Sequence, residues 1–387
     1  MTVKMIWDGG PSVVVPEEMG TPRDDQLQGS TGEKVSELAC RVCYDSLGAE
    51  RSRGTVDNLA HILDVKHLST LEHYQETCAM FVSKRDVYKA MVVLGQRPGV
   101  FFLHQPGPAP GGRLRITANA RAIIEWDAWT DRIASNEWFF SYPREHAKAM
   151  GALLKQEWAK LCPLLITDAP EGEIESEMTH LGLGSCYRVE PMHPYERWVT
   201  LYMVGSRGFS HELVRHGDFT AISQRSTRYV DESGSSYDLH PLIHAYLNDA
   251  EVSEQERMIL RSTVINGVRD DGEIYTSIVE ALQPWLMARM PRSKWRKHTA
   301  RKQARGAARG MLGNALRTEV IFSAAVGQWR HMMNMRAADA ADAEIRIIFA
   351  EALGLLKKSR YAMNFADLSL TAASDGLGMS LVSGGAL

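Results

Sequence analysis

The sequence is poor in cysteine, lacks long apolar runs and carries little excess charge of either sign. Its five cysteines, an odd number spread over 387 residues, exclude a disulfide framework. No apolar stretch reaches the roughly 20 residues of a membrane-spanning helix, and the N-terminus lacks a charged region followed by an apolar segment. A formal net charge of −3 argues against nucleic acid or an anionic membrane as a partner of the whole surface. We therefore expect a cytoplasmic globular protein, whose length predicts two domains.

Two short clusters have the spacing of metal sites. Cys40 and Cys43 form a CxxC pair, typical of metal or redox sites, but they lie in a helical pattern without a second pair nearby. In residues 67–73, HLSTLEH, two histidines and a glutamate suggest either a metal site or a polar loop. Neither cluster has a complete ligand set, and we predict no metal site.

Residues 207–230, RGFSHELVRHGDFTAISQRSTRYV, concentrate cations and hydroxyl groups. Guanidinium groups need anions or many acceptors once they leave bulk water. The pattern predicts a helical turn at 210–214 and a break at Gly217-Asp218. Arginine suits bidentate binding of phosphate, and serine and glutamine can read the edge of a pyrimidine. The stretch therefore favours a nucleotide pocket over a solvated, salt-bridged helix followed by a loop.

The same stretch resembles the signature of the flavin-dependent thymidylate synthases. That signature is Arg-His-Arg followed by Ser-Gln-x-Ser-x-Arg-Tyr. The matching residues here are Arg215-His216, Ser223-Gln224, Ser226 and Arg228-Tyr229. Two departures stand out: Gly217 replaces the second arginine, and one extra residue separates Phe219 from Ser223.

Further resemblances are divided between the two halves of the chain. In the first half, HLSTLEH resembles the segment that family members place beside the flavin, and Asn119-Ala-Arg121 resembles their Asn-x-Arg. A Pro/Gly-rich loop at 106–112 takes the place of the nucleotide segment. In the second half, residues 308–312 and 325–346 resemble the family's Ala-Arg-x-x-Leu-Pro and last long helix, with Ala325 and Gly327 replacing Asn and Arg. We infer a diverged tandem repeat whose copies kept flavin-side and nucleotide-side residues respectively.

The implied fold is α+β, with two tandem flavin-dependent-thymidylate-synthase-like domains at 31–168 and 185–370 and mixed sheets covered by long helices. Residues 1–30 are expected to be an irregular lead-in, and 166–185 a linker. Family members are homotetramers whose active sites draw on several subunits. The resemblance therefore implies a homodimer that acts as a pseudo-tetramer with about half the usual number of sites.

The implied activity is C5-methylation of a pyrimidine nucleotide, most simply dUMP to dTMP with FAD, NADPH and 5,10-methylenetetrahydrofolate. Because the pocket segment contains no cysteine nucleophile, the hydride would come from a reduced flavin. Alternatives are methyl or hydroxymethyl transfer to UMP or dCMP, and non-catalytic nucleotide or nucleic-acid binding. The basic run 292–309 is a solvated face or attracts NADPH, folate polyglutamate or nucleic acid.

The resemblance also implies roles for individual residues. The catalytic set is Arg215, Ser226 and Arg336. The expected nucleotide contacts are Arg207, Glu212, Ser223, Gln224, Ser226, Arg228, Arg309 and Arg336. The expected flavin contacts are His67, Ser69, Asn119, Arg121, Arg215, His216 and His331. Ser226 has the alternative of satisfying a turn, and Glu344 and Arg346 are expected to form structural pairs.

Overall fold

The computed structural model of the protein describes residues 1–107, 111–134 and 143–382. Residues 108–110 of the Pro/Gly-rich loop therefore lie outside the described residues. The first half contains, in chain order, β1 (Thr2–Trp7), α1 (Thr31–Tyr44), α2 (Thr55–Asp64), β2 (Gln75–Ser83), α3 (Val87–Gln96), β3 (Val100–Pro106), β4 (Gly111–Asn119), α4 (Ala120–Ile124), α5 (Trp126–Ala134), α6 (Arg144–Leu161) and α7 (Glu175–Met178).

The second half is richer in long helices. It contains β5 (Leu183–Arg188), β6 (Trp198–Ser206), α8 (Arg207–Leu213), β7 (Thr220–Gln224), α9 (Pro241–Asn248), α10 (Glu254–Arg289), α11 (Arg296–Ala308), β8 (Arg317–Ala325), α12 (Val326–Arg336), α13 (Ala343–Leu356), β9 (Leu370–Ala372) and β10 (Met379–Leu381). None of the helices in the described ranges combines the length and apolar character needed to cross a membrane.

Two four-stranded sheets organise these elements, in the strand orders β3-β4-β2-β5 and β1-β6-β8-β7, and β9 pairs with β10. The α+β class is thus confirmed. The prediction of mixed sheets is wrong, because every described strand pair is antiparallel. Strands β3 and β4 are joined by a short loop, and such a connection permits only antiparallel pairing.

Each four-stranded sheet has two edge strands, and one of them comes from the other half of the chain. Strand β1 pairs with β6, with Met5 opposite Leu201, and β5 pairs with β2, with Cys186 opposite Met80. The irregular lead-in predicted for residues 1–30 is therefore wrong at residues 2–7. Val3, Ile6 and Trp7 are buried there, and this short apolar pattern was masked by the Pro, Gly and acidic residues that follow it.

Strand β6 is buried along its whole length because both of its faces are covered. Trp198, Tyr202 and Val204 pack into the core of the first half. Alternate residues, such as Leu201 and Met203, pack in a second core with α12 and α13. A strand buried on both faces accounts for the nearly continuous apolar run WVTLYMV.

The long helix predicted through residues 325–346 is interrupted. Helix α12 ends at Arg336, and α13 starts only after residues 337–342. The Asp342 side chain accepts a hydrogen bond from the Glu344 amide and caps α13. Arg346 Nη1 donates to the Asp339 and Ala341 carbonyl oxygens at 2.7 and 3.1 Å, which holds the intervening loop. The structural role expected of Arg346 is therefore observed.

A buried ion pair connects β4 with the loop before β6. Arg115 Nε and Nη2 donate to the Glu196 carboxylate at 2.7 and 2.8 Å. Glu196 also accepts hydrogen bonds from the Met192 and His193 amides. Burial alone would raise the pKa of Glu196, but the hydrogen bonds from Arg115 and these amides outweigh burial and lower it. The carboxylate therefore stays ionised between the two halves.

We expect Glu196→Ala to lower the free energy of unfolding by about 3–5 kcal/mol, because it leaves the buried Arg115 guanidinium without a counter-charge. Denaturant titration measures this loss. The control is Arg144→Ala, which removes an exposed pair with Asp131 and should cost less than about 1 kcal/mol. Equal losses in the two variants would contradict the assigned role of the buried pair.

Candidate active site

A large cavity lies where the two halves of the chain meet, and its volume is about 1430 Å³. One wall is formed by the end of α1, residues 46–53 and α2. The opposite wall is formed by the end of β7 and the segment after it. Six of the expected site residues line this cavity: His67, Ser69, Ser223, Gln224, Ser226 and Arg228. The flavin-side motif of the first half thus faces the nucleotide signature of the second half.

The signature turn is attached to α1 by a backbone hydrogen bond. The Ser226 amide donates to the Cys43 carbonyl oxygen at 3.1 Å, and the Tyr229 and Val230 amides donate to the Ser226 carbonyl oxygen at 3.0 Å. The Ser226 side chain is thereby held on a short turn facing the cavity. The Ser226 hydroxyl also accepts a hydrogen bond from the Arg228 amide at 3.4 Å, so the turn role considered for Ser226 is observed, and its nucleotide role stays a prediction.

The two arginines of this turn have different surroundings. Arg225 lies 3.6–3.8 Å from the carboxylates of Asp45, Glu232 and Glu319 and is therefore a structural cation. Arg228 is exposed, and within the described residues no carboxylate lies within 4.0 Å of it. Of the two arginines in this turn, Arg228 is thus the one available to an anionic ligand.

Gln224 and Ser223 are engaged by the protein itself. Gln224 Nε2 donates to Ser210 Oγ at 2.9 Å and to Thr318 Oγ1 at 3.0 Å. The buried Ser223 hydroxyl lies 3.0 Å from His73 Nε2. Their roles as nucleotide contacts stay predictions, and the structure adds that both side chains are oriented by these partners.

His73 is the central residue of this hydrogen-bond network. Its Nδ1 lies 2.8 Å from Ser323 Oγ, which lies 2.7 Å from Thr200 Oγ1. The ring is fully buried, and burial lowers the pKa of His73 to about 3. A neutral imidazole therefore connects the 3-10 turn Leu68–Glu72 to β6, β7 and β8. The sequence contained no signal that relates residue 73 to residues 223 and 323.

The other histidine of the motif faces the cavity. His67 Nδ1 lies 3.3 Å from the Tyr44 hydroxyl group. Burial, followed by the nearby His61 and Lys302, lowers the pKa of His67. The ring is therefore neutral at pH 7 and can exchange hydrogen bonds with an uncharged group of a ligand.

Asn119 and Arg121 line a second cavity of about 650 Å³. Asn119 Oδ1 accepts a hydrogen bond from the Ala122 amide at 2.7 Å and caps α4. Arg121 donates to Glu72 at 2.6 Å and to Glu125 at 2.9 Å. Glu72 belongs to the same 3-10 turn as Ser69, so this turn separates the two cavities. The expected flavin residues of the first half are thus divided between neighbouring cavities.

Both departures from the signature lie in or beside the second cavity. A Cβ at Gly217 would meet nothing within 4 Å, so the loss of arginine there has no steric cause. Phe219 has a φ of 51°, an unusual conformation for a bulky residue, and its ring lies 4.8 Å from that of Tyr195. The additional residue in the signature is accommodated by this left-handed turn.

A third group of expected residues is not among the lining residues of either cavity, although His216 directly precedes Gly217, which lines the second one. Arg336 Nη1 donates to Glu212 at 2.6 Å, and Arg336 Nε donates to His216 Nε2 at 2.9 Å. Burial, then the charges of Arg336 and His331, lower the pKa of His216 to about 4. Arg215 and His331 are exposed beside this group. The structure thus brings five of the expected residues together, and none of them is among the lining residues of the cavity that contains Ser226.

Arg207 and Arg309 form a fourth location. Burial lowers the pKa of Arg207, Glu232 opposes that effect, and the charge of Arg309 adds to it. Neither residue is among those lining the two cavities, and Arg309 is exposed just after α11. Their roles as phosphate ligands stay predictions.

Among the described residues, no group of three His, Cys, Asp or Glu side chains is placed to hold a metal ion. The five cysteines are free thiols. Cys43 lines the large cavity, and burial raises its pKa to about 11, although Ser223 and the Gln224 backbone partly oppose this. A thiol of this kind is a poor nucleophile at neutral pH.

We expect the buried, neutral His73 to make the free energy of unfolding depend on pH. Between pH 6.5 and about 3 the unfolded chain binds a proton that the folded His73 does not, so the free energy of unfolding falls as the pH drops. His73→Gln should reduce the difference in unfolding free energy between pH 7 and pH 5 by about 2 kcal/mol. Denaturant titrations at the two pH values, with the exposed His180→Gln as control, test this. An unchanged difference in His73→Gln would contradict the buried neutral state.

Comparison with known proteins agrees with the geometry. Residues 183–359 match the family model described as thymidylate synthase complementing protein. The chain is 34% identical over 182 residues to the flavin-dependent thymidylate synthase of Corynebacterium efficiens, which covers 47% of this chain and 66% of that protein. The flavin-dependent thymidylate synthase of Mycobacterium marinum is 36% identical over 179 residues, covering 46% of this chain and 64% of that protein. The chain thus spans about two thirds of the length of these curated relatives.

A longer match extends the similarity. The flavin-dependent thymidylate synthase of Mycobacterium sp. (strain JLS) is 33% identical over 227 residues, covering 58% of this chain and 80% of that protein. An identity of this level over most of a relative's length implies common descent. The chain therefore belongs to the family of flavin-dependent thymidylate synthases.

Proposed function

We propose that the protein is an enzyme that methylates C5 of a pyrimidine nucleotide, most simply dUMP, with FAD, NADPH and 5,10-methylenetetrahydrofolate. The observation that carries this proposal is the single cavity in which Ser226 and Arg228 face His67 and Ser69. UMP or dCMP as acceptor and hydroxymethyl transfer are alternatives, since Gly217 removes a cation beside the expected flavin site. Because these substrates are metabolites of the cytoplasm, the proposed location is cytoplasmic.

The residues of the large cavity suit nucleotide binding. Arg228 has no acidic partner among the described residues and can bind the phosphate, while the Ser226 hydroxyl faces the same space. Charge that develops on the uracil ring during C5 alkylation requires fixed donors, which such a site provides. Cys43, the cysteine that lines this cavity, remains a thiol at neutral pH, which favours chemistry without a cysteine nucleophile.

The donor set also fits a flavin. His67, Ser69, Asn119 and Arg121 line two cavities that are separated by one 3-10 turn, and Tyr44 presents an aromatic ring beside His67. Neutral imidazole, hydroxyl and amide groups suit the polar edge of an isoalloxazine ring. A bound reduced flavin would supply the hydride that converts the one-carbon unit to methyl. The chain's own contribution is to orient the nucleotide and to stabilise charge on it.

The tandem repeat is also part of this proposal, with domains at 31–168 and 185–370. In its support, the sheet orders β3-β4-β2-β5 and β7-β8-β6-β1 correspond strand by strand. Asn119 lies opposite Gln75 at the start of β2, and Ala325 lies opposite Trp198 at the start of β6. Asn119 therefore corresponds to Ala325, and Arg121 to Gly327.

The second copy has no room for the side chain that it lost. A Cβ at Gly327 would lie 2.8 Å from the Tyr195 ring, which fills the position of an arginine side chain. Because the Tyr195 ring occupies this space, the second copy could not accommodate an arginine there. This supports the proposal that flavin is bound through the first copy's Asn-x-Arg alone. A pseudo-tetramer would then contain about half the sites of a family homotetramer.

A homodimer follows from the same proposal. Glu212, His216 and Arg336 lie away from Ser226 within one chain, so a complete site needs them from a second copy. Helix α10 supports this association, because Tyr275 is the one residue that it buries. Met258, Ile259 and Ile265 are exposed on it, as expected for a surface that a partner covers.

We expect the purified protein to show an oxidised flavin absorbance band at about 450 nm. When dUMP, UMP and dCMP are titrated separately, the preferred acceptor should change this band at a lower concentration than the other two. Arg228→Ala should weaken that nucleotide about 10–100-fold, the effect of losing one charged hydrogen bond. Lys84→Ala, an exposed change away from the cavity, is the control. A colourless protein that neither takes up FAD nor responds to a nucleotide would overturn the proposed activity.

Disrupting the α10 surface should separate the subunits. We expect wild-type protein to be a dimer in light scattering, and Ile259→Asp with Ile265→Asp to be a folded monomer that no longer retains flavin. Tyr88→Asp, at an exposed position on α3, should leave the dimer intact. A double variant that stays dimeric, or a monomer that retains flavin, would contradict the shared site.

A further inference from the structure

Two of the free thiols lie on neighbouring strands of the sheet β3-β4-β2-β5 and on the same side of it. In the pairing of β2 with β5, Cys186 lies opposite Met80, and Arg188 lies opposite Cys78. Because Cys78 and Met80 are two positions apart on one strand, Cys78 and Cys186 share a face as diagonal neighbours. Both adjoin the core of the first half, where Cys78 is fully buried and Cys186 is half-buried at the margin.

The two thiols are in contact. A hydrogen bond that joins the Cys78 thiol to Cys186, followed by burial, raises the pKa of Cys78 well above its usual range. Cys78 therefore keeps its proton at neutral pH. Cys186 is the most exposed of the five cysteines, since the other four are buried. A reagent in solution thus reaches Cys186 first, with the Cys78 thiol directly behind it.

A cation lies beside this pair. Lys160, near the end of α6, donates to the Glu157 carboxylate at 2.7 Å, and Glu157 also accepts a hydrogen bond from the Arg188 amide of β5 at 3.0 Å. The hydrogen bond to Glu157 is the main cause that raises the pKa of Lys160. The sulfur atoms of Cys186 and Cys78 contribute to the same shift, so the ammonium group lies near both of them. A neighbouring ammonium group stabilises the negative charge of an attacking sulfur.

Diagonal neighbours on antiparallel strands have Cα atoms about 7–8 Å apart, whereas a disulfide needs about 4.4–6.8 Å. Strand β5 can supply the difference, because it is an edge strand that pairs only with β2 and its register is already irregular next to Met80. We propose that Cys78 and Cys186 are a redox pair that forms a reversible disulfide and thereby links the two halves of the chain covalently. A bond formed with such strain is easily reduced again.

The oxidant is hydrogen peroxide. The Cys186 sulfur attacks one peroxide oxygen, the O–O bond breaks, and the products are a sulfenic acid on Cys186 and one water. The Cys78 sulfur then attacks the sulfenic sulfur, and the hydroxyl group leaves with the Cys78 proton as a second water. The two thiols are thus oxidised while peroxide is reduced by two electrons. Two molecules of glutathione reverse the reaction and are themselves oxidised to their disulfide.

Oxidation of the full-length protein by one equivalent of hydrogen peroxide, followed by alkylation of free thiols and peptide mapping without reductant, tests this proposal. The expected product contains a link between Cys78 and Cys186 and three alkylated cysteines, and glutathione should restore all five thiols. In Cys78→Ser the reaction should stop at a sulfenic acid on Cys186, which dimedone traps. Lys160→Gln should slow formation of the link severalfold, whereas Lys148→Gln, an exposed change on the same helix, should not.

The control for the thiols is Cys162→Ala, which removes a fully buried cysteine of the first half and should form the link as the wild type does. Three outcomes would each overturn the proposal. They are a link between Cys40 and Cys43 instead, a link between two chains through Cys186, and oxidation of Cys186 beyond the sulfenic acid while Cys78 stays a free thiol.

Discussion

The hydrogen-bonded contact of His73 with Ser223 and Ser323 is the constraint on which the rest of the site depends. An imidazole makes two directional hydrogen bonds from opposite sides of its ring, and here both go to strands of the other half of the chain. The 3-10 turn that contains Ser69 therefore cannot shift relative to β7 without breaking one of them. Because the ring is fully buried, water cannot replace a lost partner without cost. These two hydrogen bonds thus fix the distance between the turn that contains Ser69 and the signature segment, and with it the width of the cavity.

Electrostatic environment, rather than residue type, distinguishes arginines that are paired within the protein from arginines that are available to a ligand. Arg225 and Arg228 are three positions apart in the same turn, yet Arg225 faces three carboxylates and Arg228 faces none among the described residues. Two further arginines are paired within the protein: Arg346 donates hydrogen bonds to loop carbonyl oxygens, and Arg115 donates to Glu196. One cavity is lined by several cations, Arg228 among them, which gives this otherwise weakly acidic protein a local positive site.

Local patterns made many elements predictable from sequence. Helix α1 contains the helical pattern expected around Cys40 and Cys43, and α8 overlaps the helical turn expected at 210–214, because such patterns are determined by nearby residues. Strand β1 was not predicted, because its six residues before a Pro/Gly-rich segment carry only a weak strand pattern. The break at 337–342 was not predicted either, because it depends on the Asp342 cap and on the hydrogen bonds of Arg346.

The site was predictable only in its parts. The motifs predicted two sets of ligand-binding residues, but the distribution of these residues over two cavities and a separate Arg336 group is a tertiary property. The contribution of α11 to the cavity was equally invisible, because a basic helix has the same composition whether it faces solvent or a ligand.

The exchange of edge strands between the two halves has a consequence for synthesis. Strand β1 leaves the ribosome roughly 200 residues before β6, so at about 5–20 residues per second it waits some 10–40 s for its partner. Strand β5 is made about 100 residues after β2, and the first sheet is likewise incomplete until residue 188 has been translated. Neither half can therefore finish folding while the other is absent, and the nascent first half carries exposed strand edges that favour chaperone binding during its production.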